Sequence, residues 1–195
     1  MQIRSQSACR GRQAQCEMVY LTSMKITNVE IKAHCKDPQR IRELLMLLGA
    51  SYAGRDHQID TYYRTPHGRL KLRQGNIENA LIAYNRADVH DPKQSDILLY
   101  KTHDATGLGE ILNRMCHVLV VVDKTRDIYF IGNTKFHIDE VKDLGTFVEI
   151  EAIDQDGSVD PDDLRVQVVE YMNELGISNA HLLTHSYSDM MLACV

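Results

Sequence analysis

The sequence predicts an α+β domain built on an antiparallel β-barrel, with amphipathic helices packed outside it. Three observations carry this. Roughly eight strand-like runs follow one another with few helical stretches between them. Tight turns such as Thr65-Pro66-His67-Gly68, Gly132-Asn133 and Asp143 to Gly145 join neighbouring runs, which favours antiparallel pairing. Finally, the stretch from Lys124 to Glu151 places charge at every second position: Lys124 with Arg126, His137 with Asp139, Glu149 with Glu151. Period two puts each pair on one strand face. The other face is read as apolar, with Ile128, Phe130, Ile138, Val148 and Ile150 among its members. Small barrels usually fill their interior with apolar side chains. Here the apolar face can instead turn outward onto the helices, leaving a charged lumen whose groups must be paired, hydrated or bound to a ligand.

In chain order, Lys25 to Lys32 reads as the first strand, with Asn28, Glu30 and Lys32 on one face and Val29 and Ile31 on the other. Asp37-Pro38 supplies an N-cap and a proline at the first helical position. Ile41, Leu44, Leu45 and Leu48 follow at helical spacing up to Gly49. Gln58 to Tyr63 reads as a strand with Asp60 and Tyr62 on one side. Gly68 to Gln74 is the next, with Arg69, Lys71 and Arg73 opposed to Leu70 and Leu72. Ala80 to Arg86 continues the sheet, Ala87 to Gln94 reads as a loop, and Asp96 to Lys101 as a short strand. A second helix is expected from about Leu108 to Met115. Then come a long or kinked strand, His117 to Ile131, and two more, Lys135 to Val141 and Thr146 to Ile153. Asp160-Pro161 repeats the helix-start signal, and Leu164, Val168, Tyr171 and Leu175 mark a helix ending at Gly176. SYSDMMLA, near the end, is compatible with a short helix.

At 195 residues, one domain with a substantial core is expected over residues 24–195. Residues 1–23 lack a continuous hydrophobic core and read as a disordered extension or an upstream start, with Met24 a sensible true beginning. The net charge of −5 argues against nonspecific nucleic-acid binding while allowing a local basic lining. No apolar run approaches a membrane span. The odd, scattered cysteines form no CxxC pair and read as free thiols in a reducing, cytoplasmic compartment.

Lys32, Arg69, Lys71, Arg73, Arg86, Lys124 and Arg126 form the candidate basic lining. Arginine forks match phosphate oxygens, and lysine adds point charge. Against this stands the ordinary solvated face of a sheet. Glu30, Asp139, Glu149 and Glu151 are the candidate ligands of a hard cation such as Mg2+ or Mn2+, with exposed strand carboxylates as the plainer alternative. His137 shares a face with Asp139. His181 and His185 would share one if the tail were helical. No HExxH, GxSxG, Walker glycine loop or GxGxxG occurs.

Taken in order, VEIK at Val29 to Lys32, QIDTYY at Gln58 to Tyr63, GRLKLR at Gly68 to Arg73 and LIAYNR at Leu81 to Arg86 form a recognisable set. VDKTRDIYFI at Val122 to Ile131, FHIDEVKDLGTFVEIE at Phe136 to Glu151 and SYSDMM at Ser186 to Met191 complete it. This set resembles the CYTH superfamily of triphosphate tunnel metalloenzymes, and within it the class IV adenylate cyclases of the CyaB type. The resemblance implies an eight-stranded antiparallel tunnel that binds a triphosphate with a divalent metal. It puts phosphate binding on the basic set, and catalytic roles on Lys32, Lys124 and Arg126. The metal falls to Glu30, Asp139, Glu149 and Glu151. Two departures stand out. Asn28 occupies the place of the first Glu of the family's ExExK strand, and Tyr84 and Arg86 stand where cyclase-like members often carry a lysine.

The implied activity is conversion of ATP to cyclic AMP and pyrophosphate. Hydrolysis of tripolyphosphate, thiamine triphosphate or another triphosphate is the second expectation. A noncatalytic triphosphate-binding module, motivated by Asn28, is the third. The expected partner is the triphosphate, with no nucleic acid and no membrane; class IV relatives suggest a homodimer.

Overall fold

The computed structural model describes residues 24–86 and 93–194. The expectations for residues 1–23 and 87–92 lie outside them. Eight strands close into one antiparallel barrel: β1 (Met24–His34), β2 (Ser51–Tyr63), β3 (Arg69–Gly75), β4 (Ala80–Arg86), β5 (Lys93–Lys101), β6 (Val118–Ile131), β7 (Thr134–Val141) and β8 (Gly145–Asp154). Around the barrel the order is β1-β5-β4-β3-β2-β6-β7-β8, and β1 pairs with β8 to complete the ring. Among the described residues four α-helices accompany it: α1 (Pro38–Leu47), α2 (Ala105–Met115), α3 (Pro161–Glu174) and α4 (Tyr187–Ala193). Among the described residues, no helix is long and apolar enough to cross a membrane.

The helices start where local chemistry starts them. Asp37 accepts a hydrogen bond from the Arg40 backbone N–H at 3.0 Å ahead of Pro38, and Asp160 accepts from Asp162 at 2.8 Å ahead of Pro161. These side chains satisfy amide donors that a helix leaves open at its first turn. The α2 cap is Asp104, accepting from Gly107, so this helix begins earlier than the apolar spacing alone predicts. Ser186 and Asp189 close a reciprocal capping box on α4. Gly49, at φ 79°, follows α1 in the left-handed region that ends helices.

The apolar strand face turns outward. Val29, Ile31 and Ala33 of β1, Phe136 and Ile138 of β7, and Val148, Ile150 and Ala152 of β8 form one core with Ile41 and Leu45 of α1 and Leu164, Val168 and Met172 of α3. Leu72 and Tyr63 form a second outer core with Ala105 of α2. Gly109 of α2 lies so close to β3 that an added Cβ would sit 3.2 Å from Leu72. Outside β6, Asp127 accepts from Arg42 of α1 at 2.7 and 2.9 Å and from Arg55 of β2 at 2.7 and 2.8 Å, tying α1 to the wall.

Three details correct the sequence-based reading. Ile128 and Phe130 share the parity of Lys124 and Arg126; the outward positions there are Asp127 and Tyr129. Strand β2 begins at Ser51, seven residues earlier than expected. Its first half is largely exposed and breaks register at a bulge around Gly54, where φ is 132°, so periodicity is lost there. β5 begins at Lys93, within the stretch read as a loop.

Leu45 is fully buried beneath α1. Leu45→Ala is expected to cost about 2–5 kcal/mol in urea unfolding, from lost burial plus a residual cavity. A change below about 0.5 kcal/mol would mean that α1 does not hold the outer core.

Candidate active site in the barrel lumen

The lumen has two layers, and the change between them takes one step along each strand. On β2 the inward residue passes from Asp60 to Tyr62, on β6 from Lys124 to Val122, on β7 from Asp139 to Val141, and on β8 from Glu149 to Phe147. Tyr62, Val122, Val141 and Phe147 pack with Tyr187 of α4 into an apolar plug. Beyond the plug lies the charged layer.

In that layer, opposite charges alternate in one connected array. Asp60, 1% exposed, accepts from Arg73 Nε and Nη2, both at 2.9 Å, and from Lys71 Nζ at 3.0 Å; Lys124 Nζ stands 3.7 Å away. Lys124 also stands 3.9 Å from Asp139. Asp139 takes Arg126 on both oxygens, at 2.6 and 2.5 Å, and the Tyr187 hydroxyl at 2.8 Å. Arg126 reaches on to Glu149, which also pairs with Lys32. The Lys32 ammonium lies over the Tyr187 ring, 3.6 Å from its centroid. Glu78, from the β3–β4 turn, bridges Arg73, Lys135 and Gln58. That turn is fixed by Asp56, which accepts from the Ile77 and Glu78 backbone N–H groups at 2.8 and 3.0 Å.

The electrostatics follow from this pairing. Burial alone would raise the Asp60 carboxyl, but Arg73, Lys71 and Lys124 hold it well below the usual carboxylate range. Burial likewise opposes ionisation of Asp139 and Glu78. Arg126 and Lys124 around Asp139, and Lys135 and Arg73 around Glu78, reverse that effect and keep both ionised. Burial and then Arg126 push the Lys124 ammonium down. Burial, Arg126 and Lys135 push His137 well below its ordinary value, so its ring is neutral near pH 7. Burial and Asp60 raise Tyr62 to about 12.

Of the expected basic lining, Lys32, Lys71, Arg73, Lys124 and Arg126 enter this array. Arg69 sits at its rim, where it donates to Ser186 Oγ at 2.7 Å and pairs with Asp189 at 3.0 Å, latching α4 to β3. The Arg86 side chain lies outside the described residues. Among the expected metal ligands, Glu30 pairs across strands with Glu151, and Glu149 and Glu151 lie beside His137. Asp139 is committed to Arg126 and Tyr187. The donor set fits a divalent cation. Glu149, Glu151 and His137 place ligand atoms within 4.8 Å of one another, and buried Asn28 Oδ1 has no hydrogen-bond partner among the described residues.

Asp60, Glu78, Lys135 and Tyr187 join the site in addition to the residues expected from sequence. Asp60 carried a usable signal, two residues before Tyr62 on the same face. Glu78 lies in a turn and Tyr187 in the tail, where periodicity carries no information. His181 belongs to a short 3-10 turn and His185 to none of the helices, so the two share no helical face.

Acid should destabilise the fold in a defined window. The carboxyls of Asp60 and Glu78 titrate lower in the folded chain than at their ordinary 3.8 and 4.5. Their stabilisation is therefore complete above about pH 5 and lost as pH falls, because the unfolded chain takes up protons first. The melting temperature should drop steeply below about pH 4.5, and Asp60→Asn should cost about 3–5 kcal/mol at pH 7 by stranding Arg73. A melting temperature that is flat down to pH 3.5 would exclude this.

Comparison with known proteins agrees with this geometry. The chain is 25% identical over 171 residues to MJ0240 of Methanocaldococcus jannaschii, described as a candidate adenylate cyclase; the match covers 83% of this chain and 97% of the relative. The PH1012 protein of Pyrococcus horikoshii shares the fold with a TM-score of 0.73 at 23% identity, covering 83% of this chain and 98% of that one. So does HpAC1 of Hippeastrum, whose description as a candidate adenylyl cyclase reports a dominant triphosphatase activity. Its TM-score is 0.59 at 14% identity, covering 88% of this chain and 96% of that one. The CYTH domain model matches residues 27–187, nearly the whole barrel and its plug, and the chain therefore belongs to the CYTH domain family.

Proposed function

We propose that this protein is a metal-dependent enzyme acting on an organic triphosphate, and that its reaction is conversion of ATP to cyclic AMP and pyrophosphate. One observation carries the reading: basic side chains from β1, β3 and β6 converge on one buried layer, each already oriented by a carboxylate. Catalysis of phosphoryl chemistry is mostly positioning and electrostatic stabilisation, so pre-oriented donors are the asset required. Arg73 and Lys71 are aimed by Asp60, and Arg126 by Asp139, leaving remaining N–H groups for phosphate oxygens.

Lys32, Lys124 and Arg126 are assigned to the phosphate chain where charge develops. Arg73 and Lys71 hold its far end. Glu30, Glu149 and Glu151 would hold the divalent ion; when bound, it neutralises phosphate charge and assists departure of the leaving group. In cyclisation the ribose 3′-hydroxyl gives its proton to solvent as its oxygen bonds to the α-phosphorus, the bond from that phosphorus to the α–β bridging oxygen breaks, and pyrophosphate departs. An apolar stripe favours an organic over an inorganic triphosphate: Ile82 of β4 and its cross-strand neighbour Leu99 of β5 share the inward parity.

Hydrolysis is the second reading, supported by the triphosphatase activity attributed to the Hippeastrum protein of the same fold. It differs in the attacking oxygen, which would come from water, and in the phosphorus attacked: water would bond to the terminal phosphorus, the bond to the β–γ bridging oxygen would break, and orthophosphate would leave.

Incubation with ATP, thiamine triphosphate and tripolyphosphate, with Mg2+ or Mn2+, separates the readings by product. Cyclic AMP supports cyclisation; orthophosphate supports hydrolysis. Binding of all three without turnover would leave only a binding module. Lys124→Met should lower turnover on the order of 10²–10³-fold in protein that circular dichroism shows to be folded, with some loss of melting temperature because Asp60 and Asp139 lose a countercharge. Undiminished activity would remove Lys124 from the site.

A further inference from the structure

We propose that His137 joins Glu149 and Glu151 as a nitrogen ligand, giving a mixed nitrogen–oxygen site that selects a first-row transition ion such as Mn2+ over Mg2+. This rests on the reading of the lumen as a metal-dependent triphosphate site, and it specifies which residues hold the ion and which ion they prefer.

The geometry points to a cation rather than to a hydrogen bond alone. His137 Nδ1 stands 3.1 Å from Glu149 Oε2 and 3.4 Å from Glu151 Oε1. A single ring N–H serves one carboxylate well, and the other then faces the ring without a proton between them. A cation attracts all three atoms together, and neighbouring ligands of an octahedral ion of this size lie about 3 Å apart.

Two further buried polar atoms lack a partner among the described residues. His137 is 1% exposed, and its Nε2 has no hydrogen-bond partner among the described residues. Asn28 is 3% exposed with Oδ1 equally unpartnered. Asn28 lies one inward step along β1 from Glu30, the cross-strand neighbour of Glu151. Asp139 has both oxygens committed to Arg126 and a further donor in Tyr187; Glu149 also meets Arg126 on Oε2 and Lys32 on Oε1, partners it would share with a cation. Position decides between them: ligand atoms of His137, Glu149 and Glu151 fall within 4.8 Å of one another, which puts His137, not Asp139, beside the two glutamates.

The donor set fixes the preference. Mg2+ takes hard oxygen ligands and sheds water reluctantly, whereas imidazole suits first-row transition ions. Asparagine at position 28 also withholds a negative charge on which an all-oxygen Mg2+ site would draw.

The test uses the full chain without nucleotide and Mn2+ as the probe. Electron spin-echo modulation should report a coupled nitrogen, and its pattern should change when histidine alone is labelled with 15N. His137→Gln keeps an amide donor for Glu149 but removes the imidazole. It should abolish the modulation and lower the Mn2+-to-Mg2+ affinity ratio at least about tenfold, mostly through weaker Mn2+ binding. A purely structural hydrogen bond would leave that ratio unmoved. Should His137→Gln fail to fold, His137→Asn and the labelled native protein carry the same test. The proposal is overturned if the native protein binds Mn2+ without a histidine signal, binds no Mn2+, or keeps the signal in the variant. Turnover with Mg2+ is assayed in parallel. Turnover without the histidine signal defeats this inference and spares the enzymatic reading; the signal without turnover does the reverse.

Discussion

The fold depends on compensation of charge inside a closed ring of strands. An ion moved from water into a protein interior loses several kcal/mol of solvation even after relaxation. The lumen meets that cost by alternation. Asp60 lies among Arg73, Lys71 and Lys124, Asp139 beside Arg126 and Lys124, and Glu149 between Arg126 and Lys32. Such an array contributes little net stability over an apolar core of the same volume, yet it penalises loss of any one member. It also suits the proposed function, in which a triphosphate and its metal carry both signs and would exchange partners with the wall instead of stripping it.

The apolar components are placed to allow this. Since the inward face is given to ions, the usual interior of a small barrel has been turned outside, and α1 and α3 are required to cover it. Within the lumen, the plug of Tyr62, Val122, Val141, Phe147 and Tyr187 excludes water from one side of the charged layer. Exclusion of water strengthens every electrostatic contact nearby. Arg69 contributes by holding α4, and thereby Tyr187, in place; its role in this structure is that of a latch at the rim.

Much of this was legible in the sequence because alternation is a strict signal. Glu30 with Lys32, Lys71 with Arg73, Lys124 with Arg126 and Glu149 with Glu151 fell on single strand faces, and the structure turns those faces inward. Parity separates the acids and bases into two sets, because it tells which face a residue occupies but not which residue lies across the gap. Cross-strand neighbours such as Arg126 with Asp139 and Lys32 with Glu149 are set by register, which the turns only partly disclose. Glu78 and Tyr187 enter from a turn and from the tail. The first half of β2 was hidden for a different reason: a bulge and solvent exposure remove the period on which the reading relied.

Strand β1 has to meet β5 on one edge and β8 on the other, partners far along the chain from it. Every other neighbouring pair of strands is consecutive in the chain except β2 with β6. The seam between β1 and β8 joins the first strand to the last and closes the longest loop of any strand pair, at an entropic cost that precedes the contacts rewarding it. Until Lys32 comes to rest against Glu149, that carboxylate lacks one of its countercharges. Closing the ring and completing its electrostatic interior are therefore one and the same step, since the β1–β8 pairing is what brings Lys32 to Glu149.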